Sequence, residues 1–125
     1  MEREKPPPIP VELTLRKRSQ VLEIRFDDGL SACLTAEFLR VHSPSAEVTG
    51  HSAGEGILVT GKEMVAIERI EPVGRYAVRI VFDDGHDSGL YSWRVLHELS
   101  VHRDEKWQRY LERLKDSGHS RATLQ

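Results

Sequence analysis

The sequence has a single cysteine, no long apolar run and no excess of charge of either sign. Cys33 stands alone, which excludes an intrachain disulfide and a Cys-x-x-Cys pair. No apolar run approaches the roughly 20 residues of a membrane helix, and the amino-terminal MEREKPPPIP lacks a signal-peptide core. Eighteen basic and twenty acidic residues leave a net charge of -2, so no general attraction to nucleic acid is expected. These absences predict a reduced, cytoplasmic protein that binds neither nucleic acid nor membrane.

The length and composition indicate one soluble globular domain. The chain has 125 residues, of which 38% are hydrophobic and 30% charged, enough for one core and not for two. Residues 1–10 are charged and then proline-rich, which predicts a disordered lead-in, and residues 117–125 predict a flexible tail. The domain is therefore expected to span residues 11–116.

Alternation of apolar and polar residues dominates the first two thirds of the chain, and each alternating run predicts a strand with one buried face. The predicted strands lie at 11–15, 22–26, 65–73 and 76–82, with a further hairpin at 56–65 around Gly61. The alternation slips near Glu68 or Arg69, which predicts a β-bulge there.

The last third predicts an amphipathic helix. Trp107, Tyr110, Leu111 and Leu114 recur at helical spacing and form one apolar stripe, and Gly118 follows the expected end. Packing of this stripe on the core is favoured, with a docking face as the alternative. The fold class predicted is α+β: a mainly antiparallel β-sheet built from hairpins, with short helices and an amphipathic C-terminal helix.

The sequence contains a short internal repeat. LEIRFDDGLSACLTAEFLRV and VRIVFDDGHDSGLYSWRVLHEL share I-x-F-D-D-G, 56 residues apart. Each predicts a strand, a structural Asp-Gly turn at Gly29 or Gly85, a short extended piece and a helix capped by Thr35 or Ser92. About twenty residues are too few to establish a duplicated domain. Cys33, in the first extended piece, is expected to be buried and unreactive.

The second copy carries the side chains most able to do chemistry. His86, Asp87 and Tyr91 follow the shared aspartates, and a small acid–base or metal cluster is one interpretation of them. The favoured interpretation is a histidine packed at a sheet end and hydrogen-bonded to the turn, because the first copy has the aspartates without a histidine. A replacement metal site formed with His42 and His51 is a further alternative, although ordinary surface histidines are more common.

Three stretches, LRVHSPSAEVTGH, IEPVGRYAVRIVFDDGHDSGLYSW and LEIRFDDG, resemble the gamma-butyrobetaine hydroxylase-like N-terminal domain family, formerly a domain of unknown function. The likeness covers roughly residues 9–100 and indicates a stand-alone, bacterial-type member. In the full-length hydroxylases this domain precedes a double-stranded β-helix domain that carries iron and 2-oxoglutarate. The resemblance does not imply hydroxylation, because 125 residues cannot also hold that second domain.

The resemblance also implies a zinc site whose ligands this sequence lacks. In the hydroxylases a Cys-x-Cys-x-x-Cys cluster and a later histidine bind structural zinc. Ser43, Ser45 and Val48 stand where the cysteines would fall, and only the histidine carries over, as His86. Serine is a poor zinc ligand and valine is none. No cofactor is therefore expected, zinc included, and iron at His86 is kept as an alternative.

The resemblance places LRVHSPSAEV against the turn that carries His86. We therefore expect a polar concavity around His86, lined by His42, Ser43, Ser45, Asp87 and Tyr91, whose groups bond mostly to each other and to the backbone. No catalytic residue is assigned.

Three functions remain open. The favoured one is a binding or accessory module that docks onto a protein partner, because the family occurs both alone and fused to oxygenases or to an iron–sulfur scaffold. The alternative is a protein that handles iron or another metal, possibly related to iron–sulfur chemistry, through the His86 region. The third is a small enzyme with an Asp-His-Tyr site, for which no recognisable catalytic constellation is present.

Overall fold

The computed structural model describes residues 7–44 and 58–119. Its elements are β1 (Pro10–Arg16), β2 (Val21–Phe26), β3 (Ser31–Thr35), α1 (Ala36–Val41), β4 (Ile67–Val73), β5 (Ala77–Phe82), β6 (Leu90–Ser92), α2 (Trp93–Val101) and α3 (Arg103–Asp116). The strands form two antiparallel three-stranded sheets, ordered β1-β2-β3 and β4-β5-β6. The predicted α+β class is confirmed, with the hairpins divided between two sheets.

One hydrophobic core takes side chains from both sheets and from the helices. Its fully or almost fully buried members include Leu22, Ile24, Phe26, Leu39, Ile80, Phe82 and Leu96. In β2 the buried Leu22, Ile24 and Phe26 alternate with Glu23 and Arg25. The side chains of Glu23 and Arg25 form ion pairs at the surface. Each buried side chain of this size contributes about 1.5–3 kcal/mol to folding, so the alternation explains which face of the strand turns inward.

The two halves of the chain build the same β-β-β-α unit: β1-β2-β3-α1 and β4-β5-β6-α2. The registers agree, because Val21 pairs with Thr35 as Ala77 pairs with Ser92. The first strand of each unit also carries a bulge, between Pro10 and Glu12 in β1 and between Ile67 and Arg69 in β4. The repeat in the sequence is therefore part of a longer structural repeat, and the predicted bulge is confirmed.

The shared aspartates hold the turns of both units. Asp28 and Asp84 each accept the backbone N–H two residues further on, at 3.0 and 3.1 Å. Asp27 and Asp83 accept backbone N–H groups at or just before β1 and β4, at 3.2 and 3.0 Å. Asp28 and Asp84 therefore have the turn-forming role that the repeat predicts, whereas Asp27 and Asp83 connect each turn to the start of the first strand of its unit.

The helix starts and the C-terminal stripe follow the sequence prediction. Thr35 and Ser92 each accept the N–H three residues on, at 3.1 Å, which confirms both N-caps. In α3, Tyr110 and Leu114 are buried and Trp107 packs partly buried against the core. The stripe therefore packs mainly on the core, as favoured.

Two predictions were wrong. Residues 58–65, the described part of the expected hairpin, contain no strand, and β4 begins only at Ile67. Val65 is nevertheless buried, which explains why its segment looks like a strand. Cys33 is exposed, because it pairs with Glu23 on the outer face of the first sheet, between the inward-facing Ala32 and Leu34.

Most of the predicted lead-in and tail lies outside the described residues. Within the described ranges, no helix has the length and apolar character needed to cross a membrane.

Candidate functional site

The side chain of His86 meets the end of α1. His86 follows the Asp-Gly turn between β5 and β6, and its Nε2 lies 2.9 Å from Oγ of Ser43. Ser43 is buried although it is polar. The contact joins residues 43 positions apart and connects the turn of the second unit to the helix of the first.

Tyr91 extends this contact into the core. Its ring is fully buried, and its hydroxyl donates to the carbonyl of Leu39 at 2.5 Å. Burial raises the pKa of Tyr91 well above its usual value, and a hydrogen bond with Ser43 only partly opposes this, so the hydroxyl stays protonated as a donor. The hydroxyls of Tyr91 and Ser43 are thus bonded within the protein, as buried polar groups must be.

Gly89 makes this close packing possible. A β-carbon built on Gly89 would overlap Oγ of Ser43 and would lie 3.2 Å from Cε1 of Tyr91 and 3.6 Å from Nε2 of His86. Sequence reasoning missed this residue, although a glycine in an extended segment can mark the close approach of another chain segment. An added methyl group would force the Ser43 hydroxyl to move out of its present position.

Asp84 binds two cationic side chains beside this cluster. Its Oδ2 accepts from Nε of Arg40 at 2.9 Å and from Nζ of Lys62 at 2.6 Å, while its Oδ1 accepts from the N–H of His86. Partial burial by itself would raise the pKa of Asp84, but the hydrogen bonds from Lys62, His86 and Arg40 lower it to about 2. Sequence reasoning missed Arg40 and Lys62, which lie 44 and 22 residues from Asp84.

Two residues expected in the concavity make their contacts elsewhere. Nδ1 of His42 lies 2.9 Å from the carbonyl of Phe38, and its ring faces Tyr110 of α3. Burial lowers the pKa of His42, which favours the neutral imidazole. Asp87 is exposed and interacts electrostatically with Arg69 on β4.

The structure thus brings Ser43, His86 and Tyr91 together without His42 or Asp87. Ser45, Val48 and His51 lie outside the described residues.

The described residues do not fit the zinc that the family resemblance implies. Nε2 of His86 faces a serine hydroxyl. Residues 7–44 and 58–119 contain no group of three or more histidine, cysteine, aspartate or glutamate side chains placed to hold a metal ion. Zinc prefers thiolate, imidazole and carboxylate ligands in tetrahedral sets, and the described residues do not supply such a set.

The cluster also differs from a serine–histidine–aspartate triad. Asp84 reaches His86 through the backbone N–H, whereas a triad aspartate orients the imidazole ring. Ser43 is buried and bonded to Tyr91, so its hydroxyl is not presented to a substrate. The arrangement can fix the position of α1 against the second sheet, and it lacks the exposed nucleophile that acyl transfer needs.

Two surface clefts formed by described residues lie away from His86. One, of about 740 Å³, separates the outer face of the first sheet from the α2–α3 corner and is lined by Thr14 and Ser100 among others. Another, of about 480 Å³, is lined by Cys33, Phe38 and Trp107 among others. Neither cleft has a lining residue from the cluster around His86.

Comparisons with known proteins agree on one family. The family model described as gamma-butyrobetaine hydroxylase-like, N-terminal, matches residues 13–97. A solved solution NMR structure is 49% identical and covers 100% of this chain and 93% of its own, with a TM-score of 0.82. A second NMR structure is 46% identical, covers 96% and 94%, and has the same TM-score of 0.82.

A crystal structure of a protein of unknown function in the DUF971 family, from Acidithiobacillus ferrooxidans ATCC 23270, is also similar. It is 39% identical over 72% of this chain and 90% of its own, with a TM-score of 0.61. The comparison with curated proteins gives no match. The family model spans more than half of the sequence, and the solved relatives have the same fold as this chain. The chain therefore belongs to the gamma-butyrobetaine hydroxylase-like N-terminal domain family.

Proposed function

We propose that this protein is a binding module that docks onto a protein partner through the outer face of its second sheet. The observation that carries the proposal is a set of three exposed apolar side chains, Val73, Tyr76 and Leu90, called the apolar patch below. They are 38%, 75% and 47% exposed, respectively. Aromatic and aliphatic side chains of this kind supply much of the energy of protein interfaces.

The register places the apolar patch at one end of the second sheet. Val73 pairs with Ala77, which in turn pairs with Ser92, and Leu90 pairs with Arg79. Directly paired residues point to the same face of a sheet, so Val73 and Leu90 share the face opposite the core. Tyr76 ends the turn that joins β4 to β5.

The first unit gives an internal reference for this patch. By the shared register, the positions equivalent to Val73, Tyr76 and Leu90 carry Arg16, Gln20 and Cys33. The fold therefore does not require apolar side chains at these places. Isolated exposed apolar residues are normal on protein surfaces, but three at one sheet end of only one unit favour a recognition role.

The charges around the apolar patch define the chemistry of the partner. Arg69 and Arg79 lie on the same sheet and share one carboxylate, Glu71. Arg75 and Arg94 add exposed positive charge nearby, in the β4–β5 turn and the first turn of α2. The complementary surface is apolar with carboxylates at its rim, and charge complementarity of this kind guides association.

Catalysis and metal handling are weaker proposals for the described residues. The hydroxyls of Ser43 and Tyr91 already have partners inside the protein. The proposed partner surface instead uses exposed side chains that lie outside the hydrophobic core.

A photo-crosslinking amino acid tests this proposal in cells that express the full chain. It is placed at position 76 in one variant and at the equivalent position 20 in a matched control, each introduced singly. We expect a discrete adduct with a different protein from position 76 and none from position 20. Adding Arg79→Glu to the position-76 variant should reduce that adduct, because it reverses a charge at the rim.

Three outcomes would contradict the proposal. Equal adducts from positions 76 and 20 would mean that the apolar patch is not selective. Adducts only between two copies of this chain would make the face a homodimer contact. No adduct at position 76, with circular dichroism showing a folded variant, would leave the face without a partner.

A further inference from the structure

A second candidate site lies beside His86 and involves residues that the docking proposal does not use. Arg40 on α1 and Lys62 in the segment before β4 both donate to Oδ2 of Asp84. Their side chains are only 13% and 23% exposed. One carboxylate oxygen therefore fixes two cationic groups that come from separate parts of the chain.

Both cationic groups have donors left over. Arg40 uses Nε for Asp84, and no described residue accepts from its two terminal nitrogens. Lys62 makes one of the three hydrogen bonds that an ammonium group can donate. Among the described residues, every fully buried side-chain nitrogen or oxygen has a partner, so the unpaired terminal nitrogens of Arg40 must reach solvent.

The local charge is also unbalanced. Arg40 and Lys62 contribute two positive charges and Asp84 one negative charge, which leaves one positive charge. In the equivalent turn of the first unit, Asp28 has one ionisable side-chain partner among the described residues, His97 at 2.8 Å, so the shared turn does not require a second cation. Partial burial weakens solvent screening and strengthens the field of the remaining charge.

We propose that Arg40 and Lys62, held in place by Asp84, bind one carboxylate group from outside the chain. The terminal nitrogens of an arginine form a planar fork that matches two carboxylate oxygens, and a single carboxylate neutralises the remaining positive charge. Orientation by Asp84 reduces the side-chain entropy that binding would otherwise cost. The carboxylate comes either from a small molecule or from an acidic side chain of another protein.

NMR titration of the full-length, ¹⁵N-labelled protein tests this site. Sodium acetate is the probe for a free carboxylate, and N-acetyl-glutamate N-methylamide is the probe for an acidic side chain, each at constant ionic strength against sodium chloride. We expect saturable shifts of the Arg40 Nε–H signal and of the His86 amide. Lys62→Met should weaken binding by about tenfold or more, the scale of one lost charge-assisted hydrogen bond. The matched change His97→Gln at the first turn should have no effect.

The result separates the two sources of the carboxylate. Tighter binding of the blocked glutamate assigns the site to an acidic side chain, whereas equal or tighter binding of acetate assigns it to a small carboxylate. No localised, saturable shift in the wild-type protein with either probe would overturn the proposal, even if Lys62→Met fails to fold. Tighter binding of inorganic phosphate than of acetate would overturn the carboxylate assignment. The docking proposal does not depend on this site, so the two can fail separately.

Discussion

The Asp-Gly turn of the first unit and that of the second share their backbone hydrogen bonds and the bond from an aspartate to the N–H two residues on, but they carry different side chains. After the glycine, the first turn has Leu30, which packs against the core. The second has His86, which contacts Ser43. One turn therefore closes the core, whereas the other supports a polar contact at the same place in the fold.

Two further differences accompany this exchange. Gly89, which comes just before β6, corresponds to Ala32 in β3, and Tyr91 corresponds to Leu34. The smaller residue makes room for Ser43, and the tyrosine hydroxyl supplies a donor within the core. The unit therefore tolerates a polar network where a glycine and a hydrogen-bonding aromatic residue replace two apolar residues.

The two units are also joined reciprocally. Asp28 of the first turn pairs with His97 on α2, and Asp84 of the second turn pairs with Arg40 on α1. His97 and Arg40 occupy equivalent helical positions, five residues after the N-caps Ser92 and Thr35. Each turn is thus linked to the helix of the other unit, and the two units share one hydrophobic core.

The largest effect is expected from exchanging the small residues of the two units. Gly89→Ala places a methyl group against Ser43, and we expect it to lower the free energy of unfolding by about 2–3 kcal/mol. Ala32→Gly at the equivalent position should cost only about 0.5–1 kcal/mol. Urea unfolding of both variants measures the difference.

A rescue experiment identifies the cause of the Gly89→Ala effect. Ser43→Ala in the Gly89→Ala background removes the overlapping oxygen, so the double variant should be less destabilised than the two single changes summed. Strict additivity, or a Gly89→Ala protein as stable as the wild type, would contradict the close packing.

Valine at the turn glycines should affect the two units equally. Gly29 and Gly85 have φ values of 92° and 91°, and a β-carbon at either would meet no atom within 4 Å. The cost of Gly29→Val or Gly85→Val is therefore backbone strain alone, about 1–2 kcal/mol each. Thermal unfolding that shows clearly unequal losses would mean that the turns are not equivalent.

Removing the imidazole should affect only the second turn's polar contact. We expect His86→Ala to lower the free energy of unfolding by about 1 kcal/mol, the usual scale of a lost hydrogen bond. In a Ser43→Ala background the same change should cost less, because its partner is already gone. An unchanged cost in both backgrounds, measured in a double-mutant cycle, would show that the Ser43 contact adds nothing.

Acid should weaken the second turn through Asp84. Its pKa of about 2 in the folded protein lies below the usual value, so the ionised carboxylate stabilises the fold above about pH 4. This contribution, about 1 kcal/mol after solvent screening, is lost as the pH falls from about 4 to about 2. Asp84→Asn should remove that part of the pH dependence in unfolding experiments.

Asp28 provides the comparison for this acid effect. Its pKa is also lowered, first by the N–H of Leu30 and then by His97. Its side chain is more exposed than that of Asp84, so Asp28→Asn should change the acid dependence less. A larger effect at Asp28 than at Asp84 would reverse the ranking of the two turns.

No effect is expected from a chelator. The family resemblance implies that Ser43 replaces a zinc-binding cysteine, and Ser43 contacts His86 directly. We therefore expect the purified protein to contain no stoichiometric zinc and to keep its melting temperature in EDTA. Elemental analysis that finds about one zinc per chain, with unfolding on chelation, would show that the family site is retained with other ligands.

Local features of this fold could be predicted from the sequence alone. The inward face of β2, the N-caps Thr35 and Ser92, the Asp-Gly turns and the stripe of α3 each depend on residues a few positions apart. Apolar periodicity, capping hydroxyls and glycine's access to positive φ act over that distance. The hairpin predicted around Gly61 is absent at residues 58–65. Local patterns are insufficient there, because a strand also needs a partner strand.

Only the tertiary structure decided which distant side chains meet. The family resemblance brought Ser43 near His86, but no local pattern connects Arg40 with Asp84 or predicts that Gly89 must make room for Ser43. Periodicity tells which face of a strand is buried and does not tell which element covers that face. Those contacts arise because each unit packs its helix against the turn of the other, and that packing is a property of the whole chain.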